Sequence, residues 1–151
     1  MATYTITNAV AGVPIGIKPQ IVEVVLDFSS TSLTTSDSVE VFELPANSLV
    51  LMAGLEVLTL ASTGAPVLDL GDDANDDVFA AAVAGHTALA SGTTSVGKFY
   101  TAADTIDLIA NTATFDGKVR VFAVIAELGT AETAAAFAQI TNSGGQGNLP
   151  S

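Results

Sequence analysis

The chain contains no cysteine and no tryptophan, a single histidine, and only four basic residues among its 151. Without cysteine it can form neither a disulfide framework nor a thiolate metal site, and the redox compartment stays open. With one imidazole, His86, there is no two-histidine metal site and at most one ring for a catalytic triad. His86 follows Gly85 and reads as a surface or loop residue. The four bases, Lys18, Lys98, Lys118 and Arg120, face sixteen acids, for a net charge of −12. A chain of that sign is poorly suited to neutralising phosphates, so nucleic acid and anionic membrane surfaces are not expected partners. There is no run of 18 apolar residues; the longest candidate, residues 49–61, is interrupted by Gly54 and Glu56, so no transmembrane helix is expected. The first residues lack the basic start and apolar stretch of a signal peptide. No nucleophile-elbow, Walker or dinucleotide motif occurs. The glycine-rich "SGGQG" at 143–147 leads into no helix.

What remains favours strands. Hydrophobic residues make up 49% of the chain, enough for a core in a single domain of this length. Thr and Val, both strand formers, recur throughout. Residues 1–20 read as an N-terminal arm: "TYTIT" (3–7) alternates, and "AGVPIGIKPQ" carries two prolines and two glycines that interrupt any long element. Residues 21–128 read as the domain, with strands at 21–28, 39–44, 49–62, 67–70, 93–102, 104–113 and 117–128. Residues 129–151 read as a C-terminal arm or tail, with a short helix at 131–140. The most apolar stretch, "LVLMAGLEVLTLAS" (49–62), has no polar face of helical period and is expected to be a central strand, or two bent at Gly54. One helix is expected at 76–85, "DDVFAAAVAG", capped by Asn75 or Asp76 and stopped by Gly85. Asp116-Gly117 is a hairpin signal that would set the last two strands side by side. Lys118 and Arg120, two apart on one strand, would then pair with Asp107 or Glu127, with docking onto an acidic neighbouring subunit as the alternative. These expectations add up to an all-β, jelly-roll-like antiparallel β-sandwich with one short helix and extended N- and C-terminal arms.

The densest chemistry is "LDLGDDANDDVF" (68–79). Asp69, Asp72, Asp73, Asn75, Asp76 and Asp77 offer oxygen ligands for calcium, a hard cation. The EF-hand spacing is absent. The first reading is therefore a turn at Gly71 and a solvated loop whose last acids cap a helix, with Phe79 pinning that helix to the sandwich and no cofactor. The alternative is a carbohydrate-binding or adhesive β-sandwich module whose aspartate loop holds calcium. Glu23, Glu40, Glu56, Asp107 and Glu127 lie in strand-like segments, and alternation is expected to turn most of them to solvent. Paired carboxylates can hydrolyse glycosides, but with only Tyr4 and Tyr100 beside seven phenylalanines the chain lacks good sugar platforms, and no enzyme is expected.

Three phrases carry a family resemblance: "VLMAGLEVLTLAS", "VLDLGDDANDDVFAAAVAG" and "FYTAADTIDLIANTATFDGKVRVFAVIAEL". "LDLGD", the following Asp-x-Phe and "YTAADTID" are their most specific parts. Over residues 44–128 the chain resembles small virion structural proteins of tailed bacteriophages. The resemblance implies a head decoration (cement) protein on the capsid exterior, homotrimeric, bound to the phage major capsid protein, and it brings no catalytic residues. Arms that reach neighbours and apolar strand faces suit such a role. Tyr4, Ile6, Val13, Ile15 and Ile17 of the arm, with Leu49, Leu51 and Leu58, are the expected capsid or oligomer contacts.

Overall fold

The computed structural model describes residues 19–94 and 97–128. The expected arm through residue 18, the helix at 131–140 and the tail lie outside the described residues. Those residues contain nine strands and no helix: β1 (Pro19–Asp27), β2 (Ser38–Leu44), β3 (Ser48–Thr59), β4 (Val67–Asp72), β5 (Asn75–Ala84), β6 (Ser91–Thr94), β7 (Lys98–Tyr100), β8 (Asp104–Asn111) and β9 (Lys118–Glu127).

They form two antiparallel sheets. The first has the order β1-β9-β3-β6, with β7 also pairing β3; the second has the order β2-β8-β4-β5. If β6 and β7 are taken as two halves of one interrupted strand, successive strands alternate between the sheets except at the β4–β5 hairpin, the strand order of a jelly roll. The expected all-β sandwich is therefore the observed architecture.

Period-two alternation builds the core. In β9 the residues Val119, Val121, Ala123 and Ile125 point inward and are buried, while Lys118, Arg120, Phe122 and Val124 face out. β3 is central, between β9 and the β6/β7 pair, and contributes Val50, Ala53, Leu55 and Val57. From the second sheet come Leu44, Leu68, Leu70, Phe79, Ile106 and Leu108. The Phe28 and Phe115 rings close one end edge-to-face, with centroids 5.8 Å apart.

Four local expectations are corrected. Residues 76–85 are not a helix but most of β5, which pairs with β4 in the hairpin Val67↔Ala84 to Asp72↔Asn75; Phe79 does enter the core, from a strand. The chain does not turn at Gly71, which lies inside β4. Residues 93–102 are not one strand but parts of β6 and β7. Asp116-Gly117 makes no hairpin between the last two strands, because β8 and β9 belong to different sheets. It makes a crossing between them. Asp116 accepts hydrogen bonds from the Ser62 hydroxyl and, at 2.7 Å, the Ser62 N–H. A Cβ at Gly117 would lie 2.0 Å from the Thr59 carbonyl oxygen, so the close crossing requires glycine there.

Candidate functional site

The aspartate-rich corner is built from the β4–β5 hairpin and the short strand β7. Asp72 ends β4 with 1% of its surface exposed. Its Oδ1 accepts the N–H groups of Ala74 and Asn75 at 3.1 and 3.0 Å, which tightens the Asp73-Ala74 turn. Its Oδ2 accepts from Lys98 Nζ and Tyr100 O–H. Lys98 and Tyr100 sit two apart on β7 and so reach the same side, and the Lys98 ammonium stands 5.2 Å from the Tyr100 ring centroid. The carboxylate thus ties the second sheet to β7 of the first. Burial opposes its charge, yet the bonds from Lys98 and Tyr100 prevail and hold its pKa below the ordinary value. Burial, and then the neighbouring Asp72, push the Tyr100 hydroxyl far up.

The other acids of the motif go elsewhere. Asp69 accepts from Asn111 Nδ2 and, at 2.7 Å, from the Ala82 N–H. Ala82 has φ of 54°, a left-handed conformation rare for alanine, and Asp69 holds it at the β5 bulge. The Asp73 N–H points at Asp104 Oδ1. Asn75 Oδ1 faces the Asp77 N–H at 3.5 Å, and Asp76 and Asp77 are exposed. Among the described residues no three Asp, Glu or His side chains converge as a metal ion would require. His86 lies exposed in the turn after β5.

The two outer faces of the sandwich differ in chemistry. On the second sheet, Glu40 stands opposite Asp107 across β2 and β8. A shallow cleft of about 630 Å³ beside them is lined by Glu40, Glu43, Asp73, Asp104, Thr105 and Glu127. Asp107 is 7% exposed and its Oδ1 has no hydrogen-bond partner. Burial raises its pKa; Thr105 opposes the rise, and the charges of Asp73, Glu40 and Asp104 add to it. The three described cations are engaged away from this face: Lys98 with Asp72, Lys118 with Asp27 at 2.9 Å, and Arg120 with Glu56. The expectation that Lys118 and Arg120 pair with Asp107 or Glu127 is thus corrected. β9 lies between β1 and β3, so their partners come from those strands.

On the first sheet the outer face divides. Toward the β1 start it is apolar: Pro19, Ala126, Leu49 and Phe99 form one cross-strand row, and Ile21, Val124 and Met52 the next. Phe122 lies over Gly54, where a Cβ would come within 2.7 Å of its ring. Toward the β1 end the face carries the Arg120–Glu56 and Lys118–Asp27 ion pairs. Of the expected contact residues, Leu51 and Leu58 are exposed at bulges of β3 and Leu49 is half-buried on the apolar half. Tyr4, Ile6, Val13, Ile15 and Ile17 lie outside the described residues. The sequence reading missed Lys98 and Tyr100 as partners of Asp72; the i, i+2 spacing on a short strand was the available signal.

No family model matches this chain, and no curated protein matches it. Solved structures do. The chain is similar to one in the acidic stable capsid structure of Helicobacter pylori bacteriophage KHP30, at 13% identity and a TM-score of 0.55, over 72% of this chain and 86% of that one. It is similar to a chain of the cyanophage Pam1 capsid asymmetric unit, at 24% identity and 0.54, over 73% and 84%. It is similar to a chain in the capsid of Ralstonia phage GP4, at 19% identity and 0.55, over 76% and 86%. At these identities the likeness is one of fold.

Proposed function

We propose that the chain is a non-enzymatic structural protein of a tailed-phage virion, a head decoration (cement) protein that binds the outside of the major capsid protein lattice as a homotrimer. The observation that carries this reading is that the chain is similar, over about three quarters of its length, to chains in three phage capsid structures. The site geometry is compatible with it. The buried carboxylate Asp72 is bound by a lysine, a tyrosine and two backbone N–H groups, an arrangement that fastens sheets together. Binding many equivalent junctions of an assembled shell stabilises the shell by mass action. Closed cyclic symmetry makes the contacts equivalent.

The test is co-sedimentation of purified protein with expanded capsids of candidate phages, alongside light scattering of the free protein. The expected results are saturable binding to the outside of the shell and the mass of three chains. A protein that never sediments with any shell while remaining folded would overturn the reading.

A further inference from the structure

We propose that the first sheet's outer face is where one copy of this chain meets the next, with the apolar half at the centre of the contact. Ile21 is 79% exposed and Phe99 47%, at the two sides of a patch that also holds Leu49, Met52, Phe122 and Val124 and crosses four strands. A contiguous apolar patch of that width is uncommon on a surface left bare in water. β1 has nine residues, so the face is about 30 Å long, and four strands make it about 15–20 Å wide. That is roughly 500 Å² before side-chain relief, on the order of the ~800 Å² that each partner buries in a standard interface. The layout also fits: apolar ground at one end, then a margin formed by the Arg120–Glu56 and Lys118–Asp27 ion pairs.

Charge decides the occupant. Residues 19–128 carry fifteen acids and three bases. On this face stand three of those acids, Glu23, Asp27 and Glu56, and two of the bases, Lys118 and Arg120. Asp27 and Glu56 are closed in ion pairs, and Glu23 acts on Arg120 through space. The face is thus one charge from neutral, while the rest of the body holds twelve acids against Lys98 alone. Two copies of so acidic a body repel each other through every other approach and least through this one. A basic partner is drawn instead to the second sheet, around Glu40, Asp73 and Asp104. What fits a nearly neutral, apolar face is a surface of the same kind, and a second copy supplies it. A copy is also present whenever the protein is free in water, when the patch most needs cover.

A closed ring of three joins two different parts of the surface at each contact. The face provides two such parts, the Ile21 side on β1 and the Phe99 side on β7, with β9 and β3 between them. The number of copies rests on the homotrimer reading above; the choice of face does not.

Light scattering of the purified chain is compared with Ile21→Glu and Phe99→Glu, which place an acid on the exposed patch, and with Ala81→Glu, which adds the same charge at an exposed position of β5 in the other sheet. Far-UV circular dichroism and urea midpoints establish that each is folded. The wild-type chain and Ala81→Glu are expected to share one multimeric mass, and the two face variants to fall to the mass of one chain. Met52 reports the contact directly, because Met1 is the only other methionine. Peroxide should oxidise Met52 several-fold faster in Ile21→Glu than in wild type and Ala81→Glu, read by peptide mass spectrometry. If a face variant does not fold, the other supplies the comparison. A wild-type trimer whose folded face variants keep its mass and its Met52 rate would overturn the choice of face and leave the trimer standing. A wild-type dimer lost in the face variants would support the face and overturn the trimer. A wild-type chain that is monomeric at every concentration would overturn both, while co-sedimentation with shells judges the capsid role separately.

Discussion

Asp72→Ala removes the residue that joins the β4–β5 turn to β7, and its cost is calculable from its four bonds. The N–H groups of Ala74 and Asn75 lie in a surface turn and regain water, so each loses about 1 kcal/mol. The Tyr100 hydroxyl is buried, and leaving it without an acceptor costs about 1–3 kcal/mol. The Lys98 side chain is one third exposed, so its ammonium rehydrates at little cost. The sum is about 3–5 kcal/mol, a fall in Tm of at least ~10 °C for a domain of this size. Asp72→Asn keeps an acceptor for the turn but loses the charge, and should cost roughly half as much. The pH dependence has a definite sign. The folded pKa lies below 3.8, so this contribution is complete above that value and disappears as acidification carries the pH down through the folded value. The stability gap between wild type and Asp72→Ala is therefore wide at pH 7 and closes below about pH 4. Urea denaturation across that range, with a double-mutant cycle to Tyr100→Phe, measures both effects. A loss under ~1 kcal/mol at pH 7, or strict additivity with Tyr100→Phe, would refute the clamp.

Gly71→Ala places a Cβ 2.1 Å from the Asn75 carbonyl oxygen, a backbone atom that cannot step aside. It should cost about 3 kcal/mol or more by urea denaturation, while Gly97→Ala, whose Cβ would meet Leu49 at an ordinary 3.6 Å, should change little. Asp107 has a raised folded pKa, so its contribution to stability is complete below 3.8 and is lost as pH rises through the folded value. Asp107→Asn should therefore raise Tm at pH 7, and the gain should vanish on acidification below about pH 4. Calcium followed by chelator should leave Tm unchanged by differential scanning calorimetry, since Asp69 and Asp72 already hold protein donors. A calcium-dependent rise would return the aspartate loop to the list of metal sites.

The strands most legible in the sequence were those with unbroken alternation. β9 reads inward and outward residue by residue, and its uninterrupted pairing with β1 keeps that order. β5 was misread for a physical reason. Its buried residues are Phe79, Ala80 and Val83, a spacing that looks helical, and its alanines and N-terminal acids add helix propensity and capping. The spacing arises because the ladder to β4 slips twice and Ala82 adopts a left-handed conformation at the bulge. A bulge inserts one residue into a period of two, and locally the result mimics a period near 3.6. What stabilises the insertion is Asp69, thirteen residues away and on the neighbouring strand. Local propensity cannot register a bond of that separation.

The same logic explains why the aspartate motif resembled a metal site. Its carboxylates are close in sequence, but a strand sends neighbours to opposite faces and a two-residue turn reverses direction between them. Asp69 is thereby directed along the outer face to Asn111 and Ala82, Asp72 between the sheets to Lys98 and Tyr100, and Asp76 and Asp77 toward solvent. Two of the acids are consumed in building the corner. The uncompensated negative charge then collects on the second sheet's outer face, around Glu40, Asp73, Asp104 and Asp107. An apolar contact is cheap to desolvate where no charge must be buried, and costly where unpaired carboxylates must be. The first sheet's outer face, with its apolar half and its ion pairs already closed, is therefore the side of this sandwich suited to being covered, and the acidic face the side suited to water.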